Sequence, residues 1–141
     1  MNLKIIKMHS DMTSPSYAHK GDAGLDLRSA EELVIKVGEI KSIKTGIKIE
    51  IPEGLVGLVW DKSGRAVKDN LHCLAGVIDA GFRGEITLTF KNLGDKDFEV
   101  KRDMKIAQIL IQPIVTPNII EVDFLNDSTR GDGMWGSTGD F

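Results

Sequence analysis

The chain has 141 residues, 41% of them hydrophobic and 28% charged, with a formal net charge of -3. That length suits one domain able to bury a core without staples, and so mild an acidity argues against a nucleic-acid-coating surface. A single cysteine, Cys73, excludes an intrachain disulfide and a cysteine metal cluster.

No run reaches membrane-spanning length, and the opening MNLKIIKMHS is too broken by lysine for a signal peptide. The expectation is a soluble cytoplasmic protein with neither a membrane nor a nucleic-acid partner. From the N-terminus onward the periodicity is that of strands, with short ones predicted over residues 4–8 and 33–37. Over residues 43–51, Ile43, Thr45, Ile47, Ile49 and Ile51 alternate with Lys44, Gly46, Lys48 and Glu50, which predicts one strand with a buried and a wet face. A strand over 55–60 is followed by the only predicted helix, a short one near 64–69. A β-hairpin is predicted around Asp79-Ala80-Gly81-Phe82, and Ile86, Leu88 and Phe90 then alternate with Thr87, Thr89 and Lys91. Residues 106–115 are apolar on both faces, which predicts a central strand or a subunit contact. A last strand is predicted over 119–124. Many short strands separated by turn signals indicate a sandwich or jelly roll. Residues 1–125 are expected to form the body, and 126–141 a detached arm.

Five stretches carry chemistry. AGLDLRSA (23–30) places a glycine and Asp26 just before an apolar run. DKSGRAV (61–67) sets Lys62, Ser63 and Gly64 at a helix start, where N–H groups, a hydroxyl and a cation make a phosphate seat. AGVIDAGFRGE (75–85) is the hairpin, and KIAQI (105–109) puts one amide, Gln108, among apolar neighbours. The terminal RGDGMWGSTGDF has four glycines, Arg130, Trp135 and the pair Ser137-Thr138, a composition suited to closing over a polyphosphate and a flat base. Singly, each has an ordinary structural reading: Asp79 as a turn residue, Ser63 as a helix cap, Phe82 as core, Lys62 and Arg130 as solvated charges, the end as a plain tail. His9, His19 and His72 are read as ordinary polar residues, and Cys73 as a small buried hydrophobe.

Together and in this order, AGLDL, DKSG, GVIDAGFRGE, KIAQ and RGDGMWGSTG resemble the five motifs of the homotrimeric dUTP diphosphatases (dUTPases), across nearly the whole chain. The resemblance implies an all-β, jelly-roll-like barrel with one short helix. It also implies hydrolysis of dUTP to dUMP and pyrophosphate, which limits uracil in DNA and supplies dUMP for thymidylate synthesis. Each site would be built by three subunits: motifs one, two and four from one, the third motif from a second, the arm from a third. It implies that Asp79 is the general base for water attack on the α-phosphorus, with Gln108 helping to hold that water or a phosphate oxygen. Lys62, Ser63 and Gly64 would grip the phosphates, joined by Arg130, Gly136, Ser137 and Thr138 of the arm. Uracil would be read by the backbone of Cys73, Leu74, Ala75, Gly76 and Val77, with Phe82 beneath the deoxyribose and Trp135 stacked on the base. Mg²⁺ would be held mainly by the triphosphate and waters, with Asp26 in its outer shell.

Three departures stand out. Asp61-Lys62 replaces the usual Pro-Arg of the second motif, Phe82 the usual tyrosine of the third, and Met134-Trp135 the usual Gly-Phe of the fifth. The related dCTP deaminases share the barrel but need a glutamate in a pattern like ITLEL; this chain has ITLTF, with Thr89 at that place. A non-catalytic regulatory trimer would show a broken Asp79 or a missing arm, and neither is seen.

Overall fold

The computed structural model describes residues 2–134. Trp135, Gly136, Ser137 and Thr138 lie outside the described residues. Eleven strands and one helix follow in chain order: β1 (Lys4–Lys7), β2 (Leu25–Arg28), β3 (Leu33–Ile35), β4 (Ile40–Lys44), β5 (Ile47–Glu50), β6 (Leu55–Asp61), α1 (Ser63–Asp69), β7 (Leu71–Leu74), β8 (Val77–Ile78), β9 (Thr87–Asn92), β10 (Phe98–Val100) and β11 (Lys105–Pro113). They pair antiparallel in four small sheets, β1-β5, β3-β10, β2-β11-β6-β8 and β4-β9-β7. The sheets curl around one apolar core into an all-β, jelly-roll-like barrel.

The alternation over residues 43–51 survives, but not as one strand. Ile43, Thr45, Ile47, Ile49 and Ile51 all point inward and are buried, yet the chain breaks between β4 and β5. Gly46 causes the break. Its φ is 65°, and a Cβ there would stand 2.9 Å from His9 Cδ2 and from Met12 Sδ, so only glycine fits. Thr45 sits at the bend, its buried hydroxyl donating to the Ile86 carbonyl at 2.7 Å. The break lets β4 pair with β9 while β5 pairs with β1.

The predicted hairpin resolves into a tight turn in a wider excursion. Phe82 N–H donates to the Asp79 carbonyl at 3.0 Å, but β8 pairs with β6, and it is β7 and β9 that run side by side. The strand predicted over 119–124 does not form in the single chain. Its pattern is right for a strand, but Ile119, Ile120, Val122 and Phe124 are exposed, and among the described residues no strand pairs with the segment. Regular structure among the described residues therefore ends at Pro113. The long apolar run becomes β11, hydrogen-bonded on both sides, with Ala107 and Ile109 facing the core.

Candidate functional site

Side chains alternate across a sheet, so the residues between the core positions of β2, β11 and β6 share its outer face. Asp26, Gln108 and Trp60 stand in register there, one beside the next. Asp26 is nonetheless buried, at 3% exposed. Lys62 Nζ hydrogen-bonds one of its oxygens, and Lys105 Nζ approaches the other at 2.6 Å as an ion pair off the hydrogen-bond direction. Burial pushes the Asp26 carboxyl up, but the two lysines together outweigh it and hold the group below its ordinary value. The carboxylate thus positions Lys62 beside the start of α1.

That helix begins at Ser63 with Lys62 as its N-cap, so Ser63 is the first helical residue rather than the cap, and no side chain caps the end. Ser63 and Gly64 are exposed, leaving the first N–H groups of the turn facing outward with the Lys62 cation beside them. The helix stops at Asn70, which takes a left-handed φ of 52°.

The first and fourth motifs meet through a glycine. A Cβ on Gly24 would fall 1.9 Å from Gln108 Oε1 and 2.7 Å from its Cδ, so the bare Cα is what admits the amide. Gln108 Nε2 in turn donates to the Asp61 carbonyl at 2.8 Å. The amide is fixed between these two points. Gly24→Ala is therefore expected to expel the Gln108 amide and to lower turnover about as much as Gln108→Ala does, roughly tenfold or more. Turnover in Gly24→Ala close to wild type would show that the packing is incidental.

Cys73, Leu74, Ala75, Gly76 and Val77, the predicted base readers, come together along a cleft of about 360 Å³. Its other wall is the end of β6: Leu58, Val59, Trp60 and Asp61. Ala75 and Gly76 both have positive φ, 62° and 113°, and turn the chain sharply between β7 and β8. Burial, helped by the nearby Asp61 charge, pushes the Cys73 thiol up to about 11. It stays protonated near neutrality, a wall of the cleft and not a nucleophile. A larger cavity of about 560 Å³ beside Leu3, Tyr17 and Leu25 contains none of the predicted site residues.

Asp79 is exposed at its turn, and Phe82, 39% exposed, lies against the bare Cα of Gly84. Asp79 does not join Gln108. Ile78 is in register with Gly57 of β6 and Gln108 with Trp60. Counting strand rise and strand spacing, Asp79 and Gln108 lie roughly 15 Å apart in one chain. The Gln108 amide also points toward Asp61, the far end of β6. Arg130 is apart from both groups, its guanidinium donating to the carbonyls of Gly133 at 3.1 Å and Met134 at 3.2 Å.

No group of three or more His, Cys, Asp or Glu among the described residues is arranged to hold a metal. Asp26 has both oxygens engaged by lysines, so reaching a metal-bound water would require it to release one of them. The residues present therefore do not make a cage for Mg²⁺.

Sequence reasoning gave no site role to Gly24, Trp60, Asp61 or Lys105, although Gly24, Asp61 and Lys105 lie inside its motifs. Their roles arise from the register of β2, β11 and β6 and from packing across that sheet, which no linear spacing displays. Thr89 stands on β9 with its hydroxyl 3.0 Å from that of Ser42, a surface pair with no acid in it.

Residues 10–139 match the family model described as dUTPase. The chain is 50% identical over 140 residues to a deoxyuridine 5'-triphosphate nucleotidohydrolase of Clostridioides difficile, covering 98% of each, and 48% identical to one of Clostridium tetani, covering 97% of this chain and 96% of the relative. Its fold matches a mutant dUTPase of Staphylococcus bacteriophage 80alpha with dUpNHpp at a TM-score of 0.92, with 31% identity and 98% of each chain covered. It also matches a mutant dUTPase from phage phi11 of S. aureus, described with a structural Mg(II) ion, at a TM-score of 0.84, with 29% identity and 90% and 100% of the two chains covered.

Proposed function

The chain belongs to the dUTPase family and is a dUTP nucleotidohydrolase, and we propose that it works as a homotrimer whose sites are each completed by three copies. One observation carries this reading: in a single chain Asp79 and the Gln108 amide are too far apart to hold one water, which spans only about 6 Å between two partners. A neighbouring copy must bring its Asp79 turn to the Lys62, Ser63 and Gln108 cluster. The exposed Ile119, Ile120, Val122, Phe124 and Leu125 support the same reading, since so much apolar surface on one short segment calls for a protein partner.

In the shared site, Lys62 and the N–H groups of Ser63 and Gly64 hold the phosphates. Asp79 takes a proton from a water lying in line with the α-phosphorus, and Gln108 fixes that water or a phosphate oxygen. Ser63 donates to the oxygen bridging the α- and β-phosphates, where charge grows as its bond to the α-phosphorus breaks and pyrophosphate departs, leaving dUMP with the water's oxygen. The cleft formed by residues 73–77 holds uracil. Phe82 crowds the 2′ position, and the arm brings Arg130, Gly136, Ser137 and Thr138 to the phosphates and Trp135 to the base. Mg²⁺ would accompany the triphosphate, held by phosphate oxygens and water. No helix among the described residues is long and apolar enough to cross a membrane. The unpaired, buried Cys73 suits the cytoplasm, where the proposal places the enzyme.

Incubating the protein with dUTP, UTP, dCTP and dTTP and measuring pyrophosphate and ammonia tests this reading. Rapid pyrophosphate release is expected from dUTP, with UTP at least about tenfold slower because the 2′ hydroxyl meets an aromatic face and finds no partner. Ammonia from dCTP would move the chain to deamination.

A further inference from the structure

Three polar contacts converge on Asp61, the last residue of β6. Its Oδ1 accepts the Cys73 backbone N–H at 2.5 Å, its Oδ2 meets His72 Nδ1 at 2.8 Å, and its carbonyl accepts Gln108 Nε2 at 2.8 Å. The reason lies in the strand edges. β6 pairs with β8 only at Gly57 and Leu58, and Val59 N–H then donates to the Gly76 carbonyl at 2.8 Å. Beyond that point the left-handed Ala75 and Gly76 turn the chain away. The buried Cys73 is left with an N–H facing β6 and no strand opposite, and an unpaired buried amide is costly. The Asp61 carboxylate stands in for the missing strand. A proline, which the second motif usually carries here, has no side-chain oxygen to offer.

The cleft between β6 and β7 is thereby pinned at both ends, by Gly76 on Val59 and by Cys73 on Asp61. We propose that Asp61 is a positioning residue that sets the width of the cleft for the base, holding the Cys73 edge with its carboxylate and the Gln108 amide with its carbonyl. This rests on the assignment of that cleft to uracil. The two tasks are separable. Any substitution keeps the backbone carbonyl, so Gln108 stays in place, while the carboxylate is lost or moved.

Asp61→Ala, Asp61→Glu and Asp61→Asn in the full chain test the proposal, using dUTP turnover and binding of dUMP and of pyrophosphate. Asp61→Ala should raise KM for dUTP and Kd for dUMP about tenfold, the effect of losing one hydrogen bond to a charged group, with kcat within about threefold of wild type. Pyrophosphate binding should stay within about twofold, since its contacts are elsewhere. Asp61→Glu keeps charge and acceptor but lengthens the arm, so it should fold where alanine fails and still raise KM. Asp61→Asn keeps the acceptor at the same reach and should recover most of the affinity. A purely structural residue would lower Tm without separating dUMP from pyrophosphate. Unchanged KM in both Asp61→Ala and Asp61→Glu, or equal weakening of dUMP and pyrophosphate, would overturn the proposal while leaving the hydrolase reading intact. A wild-type protein inert toward dUTP would overturn both.

Discussion

Asp79→Asn is expected to lower kcat for dUTP by about 10² to 10⁴, the usual contribution of a general base, with fold and assembly unchanged. Asp79 enters the fold through its backbone carbonyl, which accepts the Phe82 N–H at 3.0 Å. Asparagine retains that carbonyl and is itself a good turn residue. The exposed carboxylate supports no packing, so its loss should register in catalysis and not in Tm. An amide cannot take the proton from water, and the attack then proceeds on an unactivated nucleophile. Steady-state kinetics alongside a thermal melt decide the matter. More than a tenth of wild-type kcat in a folded variant would place the base elsewhere.

Ending the chain after Asn126 should leave the barrel folded and cut kcat/KM for dUTP by about 10² or more, the scale for losing aligned donors to a developing charge. All described residues from 114 to 134 are exposed, so the core loses nothing by their removal. On the proposed assembly the site would lose Arg130, Gly136, Ser137, Thr138 and Trp135 together. Among the described residues Arg130 hydrogen-bonds within its own segment, to Gly133 and Met134, and reaching a phosphate means exchanging those bonds for new ones, which the bound triphosphate has to offset. Closure should therefore follow the triphosphate. In a Trp60→Phe background, which removes the exposed indole lining the cleft, Trp135 fluorescence should respond to a non-hydrolysable dUTP analogue much more than to dUMP. Equal responses, or full activity without the arm, would rule out a lid.

What the sequence displayed was what depends on neighbours along the chain. Inward residues of β4, β5 and β9 alternate by two, so Ile43 to Ile51 and Ile86 to Phe90 announced their burial. The break at Gly46 was hidden because its cause, His9 and Met12, arrives from a distant segment. The false strand over 119–124 has the other origin: an apolar pattern suits a covered strand, but forming one also takes a partner edge, and in the single chain Ile119, Ile120, Val122 and Phe124 stay exposed. The site divides similarly. Lys62, Ser63 and Gly64 lie together because they are consecutive, whereas the Asp26 clamp by Lys62 and Lys105, the Gly24 notch for Gln108 and the Asp61 latch on Cys73 depend on which strands lie side by side.

The shared site is tested most directly by mixing two inactive chains. Asp79→Asn and Gln108→Ala chains, each crippled alone, are to be co-refolded in equal amounts and assayed with dUTP. If one chain supplies the base and another the amide, each mixed trimer has one site with both groups intact, and about a quarter of the wild-type rate should return. A mixture no more active than its two components assayed separately would mean that one chain holds both groups, contradicting the three-copy site.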